Sequence, residues 1–428
     1  MKKVALHNLG CKVNAYEMDA MQQLLVEAGY EIVPWKERAD IYLINTCTVT
    51  NTADRKSRQM LNRARKQNPD AVIVAAGCYV QAQEEAGQAP DYADIVIGNN
   101  RKKDLIRILQ EYEENQRNAD IIDINHTKEY EKLQISHTSG HTRAYIKVQD
   151  GCNQFCSYCI IPYTRGRVRS RALSDVISEV RELAANGYRE IVLTGIHLSS
   201  YGVDLEEGSL LSLIHAVSQV EGIDRIRLGS LEPRIITEEF AKALSENKKI
   251  CPHFHLSLQS GCNTTLVRMN RKYTAEEYYE KCCLLRKYFK NPALTTDVIV
   301  GFPGETEEEF EETRAFIDQV SFYETHVFQY SRRRGTRADA MPDQIPESVK
   351  KQRSEILLAL DEKKRRLYEE SWLQQKVEVL MEEAVERDGI IYQTGHTKEY
   401  VRVQLKSKEN MHNRIISMQI ADGSQIVH

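Results

Sequence analysis

Short apolar runs alternate with amphipathic helical stretches twice along the chain, once before residue 110 and again from about residue 141 to 340. In the first stretch VALHNL, DIYLINT, AVIVAAG and DIVIGN are separated by YEMDAMQQLLVEAG, DRKSRQMLNRARKQN and KKDLIRILQEY, whose apolar residues recur at helical spacing. Such alternation predicts a parallel sheet, because a helical crossover returns the chain to the same end of the sheet. The second stretch offers RAYIKVQ, EIVLTGI, DRIRLGS, HFHLSLQS, LTTDVIVGF and THVFQYS as strands, with SDVISEVRELAANG and EEFEETRAFIDQV among the helices between them. Six β/α units in roughly 200 residues predict a partial or full β/α barrel. Residues 113–140 are polar and weakly periodic, and read as a linker with one strand at DIIDI. A charged helix over 347–371 follows the barrel, and KVEVLMEEAV, GIIYQTGHTKEYVRVQL and NRIISMQIAD then alternate as short antiparallel strands do. The expected class is α/β, with an N-terminal parallel α/β sandwich (1–112), a linker (113–140), a β/α barrel (141–366) and a small antiparallel β-barrel (367–428). Several units are what a chain of 428 residues calls for, since one core rarely grows so large.

Composition removes whole classes of function. Nothing approaches a run of about 20 apolar residues, so no membrane span is expected, and MKKVALHNLGC lacks the uninterrupted apolar segment of a secretory leader. Ten cysteines in such a chain point to a reducing cytoplasm, where thiols bind metals or react more often than they pair. A net charge of −4 argues against a general nucleic-acid binder. Basic residues nevertheless bunch at 55–58, 63–66, 165–171 and 332–334, which makes local phosphate contact plausible.

The cysteines carry the chemistry. Cys11, Cys47 and Cys78 each come directly after a predicted strand, in NLGC, INTC and AAGC. A single such cysteine is ordinarily a small buried apolar group. Three at equivalent ends of parallel strands converge where such sheets hold their ligands, and soft thiolates gathered there suit zinc or an iron–sulfur cluster. A second set follows the first barrel strand in GCNQFCSYC, as C-x3-C-x2-C at Cys152, Cys156 and Cys159. Structural zinc wants four ligands, commonly from two C-x2-C clips, and no second clip exists; the bacterial ferredoxin spacing does not match either. A [4Fe–4S] cluster held by three thiolates remains, with one iron left open. Cys251, Cys262, Cys282 and Cys283 fit no ligand position and read as structural.

C-x3-C-x2-C after the first strand of a β/α barrel resembles the radical S-adenosylmethionine (SAM) superfamily, in which the open iron chelates SAM. The resemblance implies that Tyr158 lies near the SAM adenine and that Gly195, ending LTG, lies near its amino group. Asp297–Thr306, DVIVGFPGET, resembles a later strand motif of the same superfamily, and Thr306 with Glu309 also forms a capping box that opens a helix. Over nearly its whole length the chain is similar to the methylthiotransferases. That likeness implies a second [4Fe–4S] cluster on Cys11, Cys47 and Cys78, and a C-terminal TRAM barrel that binds RNA. From GSLEP, LSLQSG and RMNRKYT it carries over Glu232, Ser257, Gln259 and Arg268 as SAM contacts. Gly10–Glu17, GCKVNAYE, is similar to the branch that modifies N6-threonylcarbamoyladenosine at position 37 of tRNA. The chemistry so implied uses two molecules of SAM, one to methylate a sulfur at the N-terminal cluster and one to generate a radical that attacks C2 of the adenine. Its expected partners are the anticodon stem–loop, met by Arg55, Lys56, Arg58, Arg165, Arg167 and Arg169, and an electron donor such as flavodoxin or ferredoxin, with the enzyme a monomer. Two other readings stand beside it: methylthiolation of N6-isopentenyladenosine or of a ribosomal-protein aspartate, and a non-catalytic iron–sulfur RNA-binding module.

Overall fold

The computed structural model describes residues 1–85, 93–114, 119–138, 140 and 142–428; residues 115–118 and 139 of the expected linker lie outside the described residues. Its first unit is a six-stranded parallel sheet of β1 (Lys3–Asn8), β2 (Glu31–Val33), β3 (Ile41–Thr46), β4 (Val72–Gly77), β5 (Ile95–Ile97) and β6 (Ala119–Asp120), in the order β2-β1-β3-β4-β5-β6. Helices Lys12–Glu27, Asn51–Gln67 and Leu105–Glu113 cover its two faces and bury two apolar clusters, one on each side. DIIDI pairs only through the short β6, and the patterning does not show β2, whose three residues are too few to display a period.

The second unit contains β7 (Arg143–Asp150), β8 (Arg169–Ser170), β9 (Glu190–Gly195), β10 (Arg225–Leu228), β11 (His253–His255), β12 (Ala293–Val300) and β13 (Glu324–Gln329). Six of these run parallel in the order β7-β9-β10-β11-β12-β13, with β10 joined to β11 by the bridge Ile226–Ile250. Leu231–Leu256 continues that junction. The barrel is partial: β8 adds antiparallel to the upper end of β7 through Gln149–Ser170 and Asp150–Arg169. Along β7 packs the helix Lys12–Glu27 from the first unit, whose Tyr16 and Ala20 belong to the barrel's own core cluster. Tyr16 can join an apolar core because its hydroxyl is satisfied, donating to Leu133 O at 2.7 Å. The capping box at Thr306 and Glu309 is present and opens the helix Glu307–Val320.

Helix Glu347–Glu370 leads to a curled four-stranded antiparallel sheet, β14 (Lys376–Arg387), β15 (Ile390–Thr397), β16 (Arg402–Lys406) and β17 (Ile415–Gln419), ordered β16-β15-β14-β17. Val377, Val379 and Met381 of β14 share a cluster with Ala293, which opens β12, so this sheet seats on the amino-terminal end of the barrel. Arg225 and Arg227 of β10 rivet it there, donating to Glu378 O (2.7 Å), His396 O (3.0 Å) and Lys398 O (2.9 Å). The opposite, carboxyl-terminal end of the barrel is left for chemistry. Among the described residues no helix is long and apolar enough to cross a membrane.

Candidate active site

Cys11, Cys47 and Cys78 follow β1, β3 and β4, which are neighbours in one parallel sheet, so all three stand at its carboxyl edge. Cys11 caps the helix Lys12–Glu27 and Cys78 opens Cys78–Glu85, an element whose mixed pattern does not announce a helix. Gly10 permits the approach: its φ is +107°, and a Cβ there would meet Cys47 Sγ at 3.1 Å. Asn14 braces the loop by donating to Leu9 O at 2.6 Å and Thr46 O at 3.1 Å. Burial pushes the Cys11 thiol up, and it pushes Cys47 up to about 12 with Cys78 adding to the effect. Thiols in that state keep their protons near neutrality unless a metal displaces them.

The second set hangs from β7. Gly151 turns the chain at φ +69°, where a Cβ would lie 1.9 Å from Arg167 O. Three bonds pin the following loop to residues 268–270: Ser157 Oγ donates to Arg268 O at 2.8 Å, Ser157 N to Met269 O at 3.0 Å, and Asn270 Nδ2 to Phe155 O at 2.9 Å. Burial pushes Cys152 up to about 11 and Cys159 higher still, with Cys156 adding to both. Arg271 donates to Cys156 Sγ at 3.3 Å and would offset thiolate charge. Three thiols on one loop, held by bonds to backbone carbonyls and with a guanidinium on Cys156, are a donor set suited to an iron–sulfur cluster.

The other expected cofactor contacts divide. Tyr158, Gly195, Glu232, Ser257 and Gln259 stand at or just beyond the carboxyl ends of β7, β9, β10 and β11, the same face as the loop Cys152–Cys159. Tyr158 is edge-on to Phe302 with centroids 6.4 Å apart, and Gly195 closes against Gln149. Glu232 accepts from Arg234 at 2.7 Å, Ser257 Oγ lies 3.0 Å from Ser230 Oγ, and Gln259, at φ +74°, donates its N–H to Asp297 O. Arg268 instead grips Glu309 with both guanidinium nitrogens, at 2.8 and 2.5 Å, and backs the cysteine loop from behind.

A buried ionic network joins the two cysteine sets. Glu17, on the first unit, takes Lys147 Nζ and Arg165 at 2.8 Å and Lys102 Nζ at 3.0 Å. Asp150, ending β7, takes Lys147 at 2.9 Å and Arg165 at 3.2 Å. Burial opposes ionisation of both carboxyls, but these cations outweigh it and hold both well below the usual range. Arg165 also donates to Asn14 Oδ1 at 2.7 Å and to Cys78 Sγ at 3.2 Å, while Asn99 Nδ2 links Thr164 O (2.7 Å) to Cys78 Sγ (3.5 Å). Cys78 is thereby tied to the segment immediately after Cys159. This corrects the expectation for two of the basic residues: Arg165 and Arg169 are buried and cannot meet a phosphate. Arg169 donates to Arg165 O at 2.9 Å and Arg167 O at 3.1 Å. Arg167 is half-buried, its guanidinium 4.6 Å from the centre of the Phe155 ring. Arg55, Lys56 and Arg58 are exposed, on the helix whose Asn51 and Asp54 line a cleft of about 420 Å³ with Ile160, Tyr163, Arg333 and Arg334.

Sequence reasoning missed Glu17, Lys102, Lys147, Asp150 and Arg271. A lysine inside the apolar strand RAYIKVQ was the one visible signal, since a strand buried on both faces admits a charge only against a partner.

Comparison with known proteins matches residues 146–317 to the radical SAM superfamily and residues 3–98 to the uncharacterized protein family UPF0004. The chain is 44% identical to the threonylcarbamoyladenosine tRNA methylthiotransferase MtaB of Bacillus subtilis, over 98% of its own length and 94% of that protein's. It belongs to the radical SAM methylthiotransferase family. Another methylthiotransferase of the threonylcarbamoyladenosine type, from Aquifex aeolicus, is 41% identical over 86% of this chain and 90% of its own. The tRNA-2-methylthio-N(6)-dimethylallyladenosine synthase of Moorella thermoacetica is 39% identical over 87% and 85%. In fold the methylthiotransferase is similar to the radical S-adenosylmethionine methyltransferase TsrM of Kitasatospora setae, with TM-score 0.57 and 16% identity over 77% of this chain and 73% of that one. As a radical SAM methylthiotransferase it is an enzyme that uses SAM and [4Fe–4S] chemistry.

Proposed function

We propose that this enzyme methylthiolates C2 of N6-threonylcarbamoyladenosine in the anticodon loop of tRNA, with one [4Fe–4S] cluster on Cys152, Cys156 and Cys159 and a second on Cys11, Cys47 and Cys78. The observation that carries the reading is that Arg165 bonds Cys78, Glu17 and Asp150 at once, which ties a cysteine of the first set to the end of β7, the strand that leads into the second. The substrate is favoured by GCKVNAYE and by the two relatives of that activity at 44% and 41% identity.

When bound, the cluster and SAM supply one-electron chemistry, which an unactivated aromatic C–H bond requires because no acid–base pair can remove that hydrogen. The chain's own residues hold, orient and screen. Tyr158, Gly195, Glu232, Ser257 and Gln259 line the barrel face toward SAM, and Arg271 and Arg165 balance thiolate charge on the two sides. Residues 1–112 serve as the auxiliary-cluster domain, 141–366 as the SAM-cleaving barrel and 367–428 as an RNA-binding sheet. The reaction belongs in the cytoplasm, run by a single chain fed by a flavodoxin or ferredoxin. A splayed anticodon-loop base reaches the interior from the cleft beside Arg333 and Arg334, with Arg55, Lys56 and Arg58 on the backbone phosphates. Replacing Arg55 and Lys56 with alanine should weaken binding by any tRNA sequence alike. It should also lower the slope of log K against log salt by about 0.7 to 0.9 for each phosphate no longer neutralised. Titrations at several salt concentrations measure it.

Nucleoside analysis of tRNA from a strain lacking the gene tests the substrate. Loss of the 2-methylthio group from threonylcarbamoyladenosine, with the unmethylthiolated nucleoside accumulating, is expected; loss from dimethylallyladenosine alone would replace this substrate with that of the Moorella relative.

A further inference from the structure

Two histidines and an aspartate meet inside the barrel, on strands that neither cysteine set uses. Asp297 of β12 and His326 of β13 are partners in the parallel register, and Thr295, two residues earlier, is the partner of His255 at the end of β11. Alternation puts Thr295 and Asp297 on one face of β12. The other face is covered: Val298 and Val300 belong to the barrel's core cluster, and the hydroxyl of Tyr278, on helix Ala275–Tyr288, lies 3.4 Å from Thr296 Oγ1. Asp297 and the two imidazoles therefore project into the barrel interior.

The three are close enough to share an ion. One ligand atom from each lies within 4.8 Å of the others. His255 Nε2 stands 3.2 Å from Asp297 Oδ2, and the two imidazole rings stack at 24° with centroids 5.7 Å apart. Atoms bound at about 2.0 to 2.2 Å to one tetrahedral or octahedral ion stand about 2.8 to 3.6 Å apart, so this first pair is already at bridging distance. Each imidazole also has an oxygen by its Nδ1: Thr295 Oγ1 at 3.0 Å from His255, and Glu324 Oε1 at 3.8 Å from His326. Outer partners of that kind orient histidines that bind metal. A structural ion pair would account for His255 and Asp297. It would not account for His326, which is exposed and makes no hydrogen bond with the described residues. The ammonium of Lys12 acts on Asp297 more weakly than either histidine and forms no ion pair with it.

We propose that His255, Asp297 and His326 form a metal site separate from both cysteine sets, for a divalent ion of the zinc class, with an open position toward the barrel interior. Two imidazole nitrogens and one carboxylate match that class. Calcium and magnesium prefer oxygen donors throughout. Three protein ligands leave a fourth position for water or a substrate oxygen, as catalytic zinc sites do and closed structural ones do not. Such a site exists whichever nucleoside the enzyme modifies, because none of its ligands belongs to either cysteine set.

The test incubates anaerobically reconstituted, iron-replete enzyme with a small excess of zinc(II) and dialyses it against zinc-free buffer. Bound zinc is then read by elemental analysis and by zinc K-edge X-ray absorption, which does not see the iron. The native enzyme should retain about one zinc per chain, with nitrogen and oxygen neighbours at about 2.0 to 2.2 Å and none of the sulfur that thiolates would place at about 2.3 Å. His326→Ala, at an exposed position, should lose that zinc and keep its iron. Thr295→Val, which keeps the side chain's shape and removes the oxygen beside His255 Nδ1, should bind zinc about 10- to 100-fold more weakly. If His326→Ala loses iron as well, the zinc affinity of Thr295→Val decides. No zinc on the iron-replete native enzyme, zinc with sulfur neighbours, or equal zinc binding in the native enzyme and both variants would overturn the proposal.

Discussion

Replacing Cys152, Cys156 and Cys159 together by alanine should remove about half of the roughly eight irons that two cubane clusters bring to the anaerobically reconstituted protein. It should also abolish 5′-deoxyadenosine formation from SAM and dithionite. The thiols share one loop, which Ser157 and Asn270 hold by bonds to backbone carbonyls that do not involve the cysteine side chains. The loop therefore keeps its course while its donor set disappears. Alanine at Cys11, Cys47 and Cys78 should remove the other half of the iron but leave 5′-deoxyadenosine formation, because those thiols sit on a different sheet. Methylthiolated product should vanish in both variants. Iron assay with product chromatography separates the two cases. A stoichiometry near one zinc and no iron in the native protein would contradict the assignment of both sets.

The second large effect is on stability. Arg165→Met should destabilise the protein by about 3 to 5 kcal/mol, the range for removing one partner from a buried ion network. Arg165 is the common donor to Glu17, Asp150, Asn14 and Cys78, and its loss leaves two buried carboxylates with fewer cations. Lysine is a poor replacement, since one ammonium cannot reproduce a fork that serves several acceptors. Arg55→Met, on an exposed helix face, should stay within about 0.5 kcal/mol of native. Thermal melts and urea titrations of the three proteins make the comparison. Should Arg165→Met melt like Arg55→Met and instead flatten the salt dependence of tRNA binding, Arg165 would serve the phosphates and not the fold.

The same arginine shows where sequence reasoning stops. The six barrel strands, four of the six strands in the first sheet and the capping box at Thr306 are legible, because each is written in periodicity or in local side-chain to backbone chemistry. So are the two cysteine sets, since a strand end is a local property and parallel strands place their ends together. The sorting of arginines is not legible. RGRVRSR looks like one basic surface, yet Arg165 and Arg169 turn inward. The acids that draw them there include Glu17, far away in sequence on a helix of another unit, and nothing local marks that pairing. RMNRKYT points to Arg268, while Arg271, three residues on, is the arginine that reaches Cys156.

The account's central claim is that two three-cysteine cradles act on one base. The most direct measurement of it incubates reconstituted enzyme with SAM, dithionite and tRNA carrying N6-threonylcarbamoyladenosine, then analyses both the nucleosides and the SAM products by mass spectrometry. The account predicts 2-methylthio-N6-threonylcarbamoyladenosine together with 5′-deoxyadenosine in the native enzyme, and 5′-deoxyadenosine without that nucleoside when Cys11, Cys47 and Cys78 are alanine. Methylthiolated nucleoside from that alanine variant, or no 5′-deoxyadenosine from cluster-replete native enzyme, would contradict it.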